Sequence, residues 1–515
     1  MRKTFGRALA AVLTALMTAV CLTGAFAEDR PAKFVSGVET PVLNQKNNPL
    51  CWAYAGSDLL SISAIYSGQS PSGQSVFSAT LMARAEFDGN EHRSPHGNPW
   101  YRCYGGLDYA LFAGISGKGL APAELYGSVD SADDAPVSAL YGNYAYIDRF
   151  VQCDVSSLQR RDRTEKIKEL ISENGAVACD LFVGDYNSVT GVAAIQPYDN
   201  SKPAHQVLLV GWDDAKYTDT GTGAFLMKNT WGENWGNGGY AWISYNAEFG
   251  RKVFSASVRL DAEARVLTHT ETNFLSGNHT SDSTLFGAVN VFAVKEEMTL
   301  THAGICSMQQ DADLEARVFV NLDDPLGVIS EMPDATASGS FSDCGFYTLP
   351  LDKETEVMPG DTVTVLYLAR AGGNYYVFSE YSDPDFDMAV TSSEPGQSYT
   401  LVGGELKQPA GNYIGTVVGR VSAAQTVTET QDSRPADPEP VTETRNSGPE
   451  NPETGETQSL VVPFVPPESG DETGTGPLAS AVSKIVKFIM ISALALIALV
   501  AAVIVAAVAS SKKKK

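Results

Sequence analysis

Gln45-Lys-Asn-Asn-Pro-Leu-Cys51-Trp52-Ala53-Tyr54 leads into an apolar run with one thiol at its head. From Cys51 onward, Ala55, Leu59, Ile62 and Tyr66 recur at steps of three and four until Gly68, so the spacing predicts an amphipathic helix that begins at the sulfur. Unpaired backbone N–H groups and the positive end of the helix dipole favour thiolate over thiol at that position. A Cys-Trp pair of this kind also suits a buried structural cysteine. The rest of the chain decides between the two.

Two later segments supply the partners a reactive sulfur needs. Pro203-Ala-His205-Gln206-Val-Leu-Leu-Val210-Gly-Trp212 sets a histidine ahead of a continuous apolar run, the pattern of a buried strand presenting imidazole at its start. Phe225-Leu-Met-Lys228-Asn229-Thr-Trp231-Gly-Glu-Asn-Trp235-Gly236 follows, with Asn229 ending a further apolar run. A thiol acting as a nucleophile needs a proton-transfer partner, and that imidazole needs a third group to fix its tautomer. Cys51, His205 and Asn229 are the right types.

At these residues the sequence resembles the papain-like cysteine peptidases. The match rests on Gln45 ahead of Cys51-Trp52-Ala53, on His205 opening its strand, and on Lys228-Asn229-Thr230-Trp231-Gly232 with Trp235-Gly236 and Gly238-Gly239-Tyr240 behind it. The resemblance implies that Cys51 is the nucleophile, His205 the general base and acid, and Asn229 the orienter of the imidazole. It implies that Gln45 donates to the oxyanion hole beside the Cys51 backbone N–H, and that Trp231 shields the bond between His205 and Asn229. Of Gly105 and Gly106, in Cys103-Tyr-Gly-Gly106, the second would pair its backbone with an extended substrate, the two together lining the substrate-binding site. Gln206 departs from the small residue usual after the histidine, where it lines the pocket for the side chain two places before the scissile bond. A polar amide there should narrow that pocket or make it polar. The resemblance covers roughly Val35 to Leu260 and implies a two-lobed α+β domain. A further helix is read from Ile167, Leu170 and Ile171, ending at Asn174-Gly175, and a strand from Ala176 to Phe182.

Six cysteines remain if residues 1–27 are removed: Cys51, Cys103, Cys153, Cys179, Cys306 and Cys344. The family's bridge to the Cys-x-Gly-Gly segment is expected to be absent, because Asn48 stands where its first cysteine would be. Cys103 is then free or paired with Cys153 or Cys179. Cys306 and Cys344 form a plausible bridge further on. His92, His96 and Cys103 lack the paired spacing of a zinc site, and no metal or other cofactor is expected in the first domain.

Residues 1–27 carry Arg2, Lys3 and Arg7, an apolar stretch and Ala25-Phe-Ala27, a secretory signal peptide. Residues 28–261 are then the peptidase domain, with too short a lead before Gln45 for a helical inhibitory propeptide. From about Ala262 the texture changes to short runs rich in Val, Thr and aromatics: 284–293, 314–321, 362–368 and 374–378, separated by Gly, Pro and Asp turns. Residues 262–422 are read as an antiparallel, all-β sandwich of jelly-roll type. Its position, and Glu394-Pro-Gly-Gln-Ser-Tyr399, resemble the lectin-like domain of bacterial surface cysteine peptidases, which implies cell-wall glycans as a ligand or a spacer role. Asp323, Asp324, Asp343 and Asp361 fall in expected loops and could hold structural calcium.

Residues 423–477 are a Thr-, Pro- and Glu-rich stalk with little to build a core from, expected to be disordered. Residues 488–509 are an apolar run long enough to span a bilayer as one transmembrane helix, within a C-terminal segment 478–515 that closes on Lys512 to Lys515. Asn451-Pro-Glu-Thr-Gly455 has the look of a sorting signal but lies too far from that run. The formal charge of -24 disfavours nucleic-acid binding. The expectation is a monomeric, membrane-anchored extracellular cysteine endopeptidase acting on proteins or peptides, its C-terminus in the cytoplasm. An adhesin with an inactive peptidase domain, and a hydrolase of peptidoglycan stem peptides, are the alternatives.

Overall fold

The computed structural model describes residues 30–85, 115, 120–124, 144–199, 202–270, 275–280, 286–380 and 393–422. The expected signal peptide, stalk and membrane anchor lie outside these residues. No helix among the described residues is long and apolar enough to cross a membrane.

The first part of the chain runs β1 (Lys33–Val35), α1 (Cys51–Tyr66), α2 (Ala79–Ala85), β2 (Ala145–Asp154), α3 (Arg160–Asn174), β3 (Val177–Asn187), β4 (Val192–Gln196), β5 (His205–Thr218), β6 (Gly221–Lys228), β7 (Tyr240–Ser244) and β8 (Lys252–Leu260). Strand β3 pairs with both β4 and β5, β5 with β6, β6 with β7, and β7 with β4, so five strands close on themselves as a small barrel. Its interior is filled by Val177, Cys179, Val207, Leu209, Phe225 and Met227, and α3 covers one end with Ile167, Leu170 and Ile171. Gly175, in the left-handed region at φ 84°, ends α3 where Asn174-Gly175 predicts a stop.

Helix α1 differs from the amphipathic helix its spacing predicts. Every residue from Trp52 to Ile65 is buried, so the helix is the axis of the first lobe rather than its surface. The sequence tolerates this because its small polar residues are satisfied locally. Ser57 Oγ donates to the Tyr54 carbonyl at 3.2 Å, and Ser61 Oγ donates to the Ser57 carbonyl at 2.7 Å while accepting the backbone N–H groups of Val76 and Phe77.

The second part runs β9 (Ala264–Leu267), β10 (Leu275–Thr280), β11 (Phe286–Ala293), β12 (Met298–Ser307), β13 (Ala312–Val320), β14 (Ala335–Phe341), β15 (Cys344–Val357), β16 (Thr362–Ala371), β17 (Asn374–Glu380), β18 (Ser398–Val402), β19 (Glu405–Lys407) and β20 (Gly415–Arg420). Where described, all four Val- and aromatic-rich runs fall on strands. One sheet layer is β15-β12-β20-β9; the other is built around β16, which pairs with β11, β13 and β17. Leu300, Ile305 and Val417 of the first layer pack with Leu314, Val318 and Val365 of the second.

The two parts share a sheet. Strand β2 pairs with β8 on one side and with β15 on the other, Cys344 opposite Gln152 and Phe346 opposite Phe150. Lys166 on α3 meets Asp343 at 2.9 Å, and Thr348 Oγ1 donates to the Ile147 carbonyl at 2.6 Å. The joint depends on Gly345, where an added Cβ would fall 1.9 Å from the Phe150 carbonyl oxygen. Gly345→Ala must force β2 from β15, because the obstructing atom is backbone. A loss of at least about 1–3 kcal/mol is expected in urea unfolding, and an unchanged midpoint would refute this account of the joint.

The register also corrects one disulfide. Phe346, not Cys344, stands opposite Cys306, leaving the two cysteines diagonal to one another across β12 and β15. Diagonal pairs lie about 7–8 Å apart, beyond the reach of an S–S bond. Cys51, Cys153, Cys179, Cys306 and Cys344 are all free thiols. Cys103 lies outside the described residues.

Candidate active site

The site forms where the start of α1 meets the start of β5. Leu50, the residue before the helix, offers no side-chain cap, and the backbone N–H groups of Cys51 and Trp52 turn toward the Cys51 sulfur instead. The Gln206 backbone N–H reaches the same sulfur from β5. This places the thiol against the residue that follows His205.

His205 is the first residue of β5, and Asn229 follows the last residue of β6, its strand neighbour. His205 Nε2 lies 2.7 Å from Asn229 Oδ1. That oxygen also accepts the Thr230 backbone N–H at 2.8 Å, which fixes which amide atom faces the ring. Since Oδ1 is an acceptor, Nε2 carries the proton and the lone pair falls on Nδ1. The Trp231 ring stacks on the imidazole, centroids 4.4 Å apart, and Trp235 meets Trp231 edge-on at 5.5 Å. Asn229 is buried beneath them.

Gln45 is buried beside the same segment. Its backbone N–H donates to the Thr230 carbonyl at 2.9 Å, its Oε1 accepts from Thr230 Oγ1 at 2.5 Å, and one Nε2 hydrogen goes to the Asn48 carbonyl at 2.9 Å. An unbroken line of contacts therefore runs from Gln45 through Thr230 and Asn229 to His205 and Trp231. Cys51 and Gln206 meet at its other end.

The electrostatics set burial against the helix terminus. Burial pushes the Cys51 thiol up to about 11, and the charge of Asp180 adds to the rise. The N–H groups of Gln206, Trp52 and Cys51 oppose this without prevailing. Burial likewise pushes His205 down from its ordinary 6.5 to about 4, against the bond from Asn229. Burial thus works against charge on both groups, and the helix terminus lowers the cost of thiolate without cancelling that penalty.

Behind the site lies an ion pair that the motif alone does not announce. Lys228 Nζ meets Asp58 Oδ2 at 2.7 Å with both side chains almost wholly buried. Lys228 also donates to the carbonyls of Thr40 and Pro41 at 3.1 Å and to Thr40 Oγ1, while Thr40 Oγ1 donates to Asp58 Oδ1. Asp58 is the lone charge in an otherwise apolar and small-residue helix, two turns after Cys51, and that exception is the signal by which the sequence could have disclosed it. Asp180, a carboxylate in an apolar strand, is a second residue of this kind.

Gly105, Gly106, Cys103, His92 and His96 lie outside the described residues. Three of the four aspartates proposed for calcium serve other partners. Asp324 caps the turn Pro325–Ile329, Asp361 accepts from Asn321 Nδ2 and the Met358 N–H, and Asp343 pairs with Lys166. No group of three metal-ligating side chains suited to an ion occurs among the described residues.

Residues 32–258 match the profile of the Papain family cysteine protease, and residues 271–408 that of the Lectin like domain. A cysteine protease of Blomia tropicalis is 37% identical over 89 residues, 17% of this chain and 26% of that relative, so the match spans about a quarter of the relative's length. Two solved structures share the arrangement. One is the cysteine protease and lectin-like domains of Cwp84, a surface layer associated protein of Clostridium difficile, with TM-score 0.59 at 17% identity, covering 76% of this chain and 89% of that one. The other is the clostridial protease Cwp84 after propeptide cleavage, with TM-score 0.56 at 17% identity, covering 75% and 98%. At this identity the likeness is one of fold.

Proposed function

We propose, for a chain that carries a papain-like domain at residues 32–258 and a lectin-like domain at residues 271–408, a cysteine peptidase that hydrolyses peptide bonds of extracellular or cell-surface proteins through a thioester on Cys51. The observation that carries this reading is the 2.7 Å bond between His205 Nε2 and Asn229 Oδ1 under the Trp231 ring, on a strand whose next N–H reaches the Cys51 sulfur.

The steps follow from the atoms present. His205 Nδ1, with its lone pair, takes the thiol proton as the sulfur bonds to the substrate carbonyl carbon. Negative charge moves to the carbonyl oxygen, where the Cys51 backbone N–H and the second Nε2 hydrogen of Gln45 stabilise it. As the C–N bond breaks, the imidazolium returns its proton to the departing amine. Water then attacks the thioester with His205 again as base, releasing the acid and restoring the thiol. Because burial disfavours charge on both groups, proton transfer and sulfur attack are coupled, and Asn229 stabilises the imidazolium that forms.

Export by residues 1–27, tethering by residues 488–509 and binding of a wall glycan by the second domain belong to the same proposal; the sequence features named above support the first two. The lectin-like match and the likeness to a surface layer associated protein support the third. The test offers casein and purified cell wall to the exported chain and to Cys51→Ala, with and without a thiol-alkylating epoxide. Epoxide-sensitive casein cleavage by the parent alone is expected. No proteolysis by the parent would overturn the reading in favour of an adhesin, and release of wall fragments alone would make it a wall hydrolase.

A further inference from the structure

In the pairing of β3 with β5, Asp180 stands directly opposite Gln206, two steps along from Ala178 opposite Leu208. Side chains alternate across a sheet, so these four share a face. Ala178 and Leu208 pack into the core cluster of α1, so this is the face that helix covers. The helix begins at Cys51, and Asp180 and Gln206 lie at that end of the face. Both reach the reacting atom, Gln206 by its backbone N–H and Asp180 by its charge.

Only 6% of Gln206 is exposed, and its side-chain Oε1 has no hydrogen-bond partner among the described residues. A buried acceptor left in this way favours a ligand that brings an N–H. The adjoining loops bring a tightly packed glycine and a phenol beside Asp180. Gly250 donates its N–H to the Asp180 carbonyl at 2.6 Å, and a Cβ there would lie 2.7 Å from Asp180 Cβ and 3.1 Å from the Tyr198 hydroxyl. Glu248 accepts the Tyr198 N–H at 2.9 Å, and Lys202 in the same loop is turned to Asp199 at 3.0 Å, largely in solvent.

We propose that Asp180 and Gln206 wall a substrate pocket beside Cys51 that takes a cationic side chain, lysine or arginine, of the peptide being cleaved. The inference rests on the peptidase reading and deepens it. A carboxylate and an amide oxygen on one face beside the sulfur, with a phenol adjoining, suit an ammonium or guanidinium group. A leucine placed there would strip water from the carboxylate and leave the amide oxygen unmet.

Quenched peptides differing only at the two residues before the scissile bond, with Lys, Arg or Leu at each, test this on the full chain after active sites are counted with a thiol-alkylating epoxide. At one of the two positions the parent is expected to favour Lys or Arg over Leu by about tenfold or more in kcat/KM. Asp180→Asn should lower that ratio at least about tenfold, Asp180→Glu should restore most of it, and Gln206→Leu should move preference toward Leu. Titrated enzyme that cleaves the Leu peptide as fast as the Lys peptide, or an Asp180→Asn variant that keeps the parent ratio, overturns the pocket and leaves the peptidase standing. A chain that neither reacts with the epoxide nor cleaves any peptide overturns both.

Discussion

Cys51→Ala is expected to lower peptide hydrolysis by about 10 000-fold or more, with a urea midpoint close to that of the parent, because the residue makes its contacts through backbone and sulfur at the mouth of the site. His205→Ala should cost about 10²–10⁴-fold. The pH profile of kcat/KM carries the finer information. His205 is held at about 4 by burial, so the imidazole accepts a proton throughout the neutral range and the rate falls only as pH drops toward 4. Asn229→Ala removes the contact that raises this value, so its acid limb should move to still lower pH while the rate falls. An acid limb near 6.5 in the parent would mean that the imidazole is solvated, contrary to its place beneath Trp231. Stability follows the same sign. The folded chain holds His205 neutral below its ordinary 6.5, so its contribution is complete above that pH and is lost as pH falls from 6.5 toward 4.

Asp58→Ala is the second large effect, and it acts on stability. It strands the Lys228 ammonium in the core, where the carbonyls of Thr40 and Pro41 remain but the charge has no counterpart. Removing one member of a buried pair costs about 3–5 kcal/mol, measurable as a lower urea midpoint with unchanged slope. Asp58→Leu with Lys228→Met, which removes both charges, should lose markedly less than the two single changes summed. Strict additivity would mean that the pair is not coupled. Since Asp58 lies on the helix that begins at Cys51 and Lys228 immediately precedes Asn229, the pair also ties the helix of Cys51 to the strand end beside His205. Reaction of Cys51 with the epoxide should therefore slow in variants that still fold.

Much of the arrangement was legible because it is local. A strand beginning at His205, a helix beginning at Cys51 and a stop at Gly175 each follow from periodicity and glycine chemistry within a few residues. The apolar, β-branched runs after residue 262 likewise report strands directly. The readings that needed revision depend on what surrounds an element. The spacing of α1 gives the same pattern whether one face is covered or all of them. Cys306 and Cys344 lie in strands whose register cannot be read from either strand alone. The partners of Asp324, Asp343 and Asp361 likewise come from the fold and not from the residues beside them in the chain.

By itself the sequence determined the residue types able to pass a proton between sulfur and imidazole with a carboxamide to orient the ring, and the succession of a mixed domain and an all-β one. Tertiary structure decided how strongly charge on the sulfur and the imidazole is disfavoured, because the free energy of a charge depends on the water it loses and not on its neighbours along the chain. It also decided that β2 and β15 belong to one sheet, and that Asp58 meets Lys228 and Asp180 faces Gln206. Those pairings join residues remote in sequence, and only the folded chain brings them within range of one another's charge.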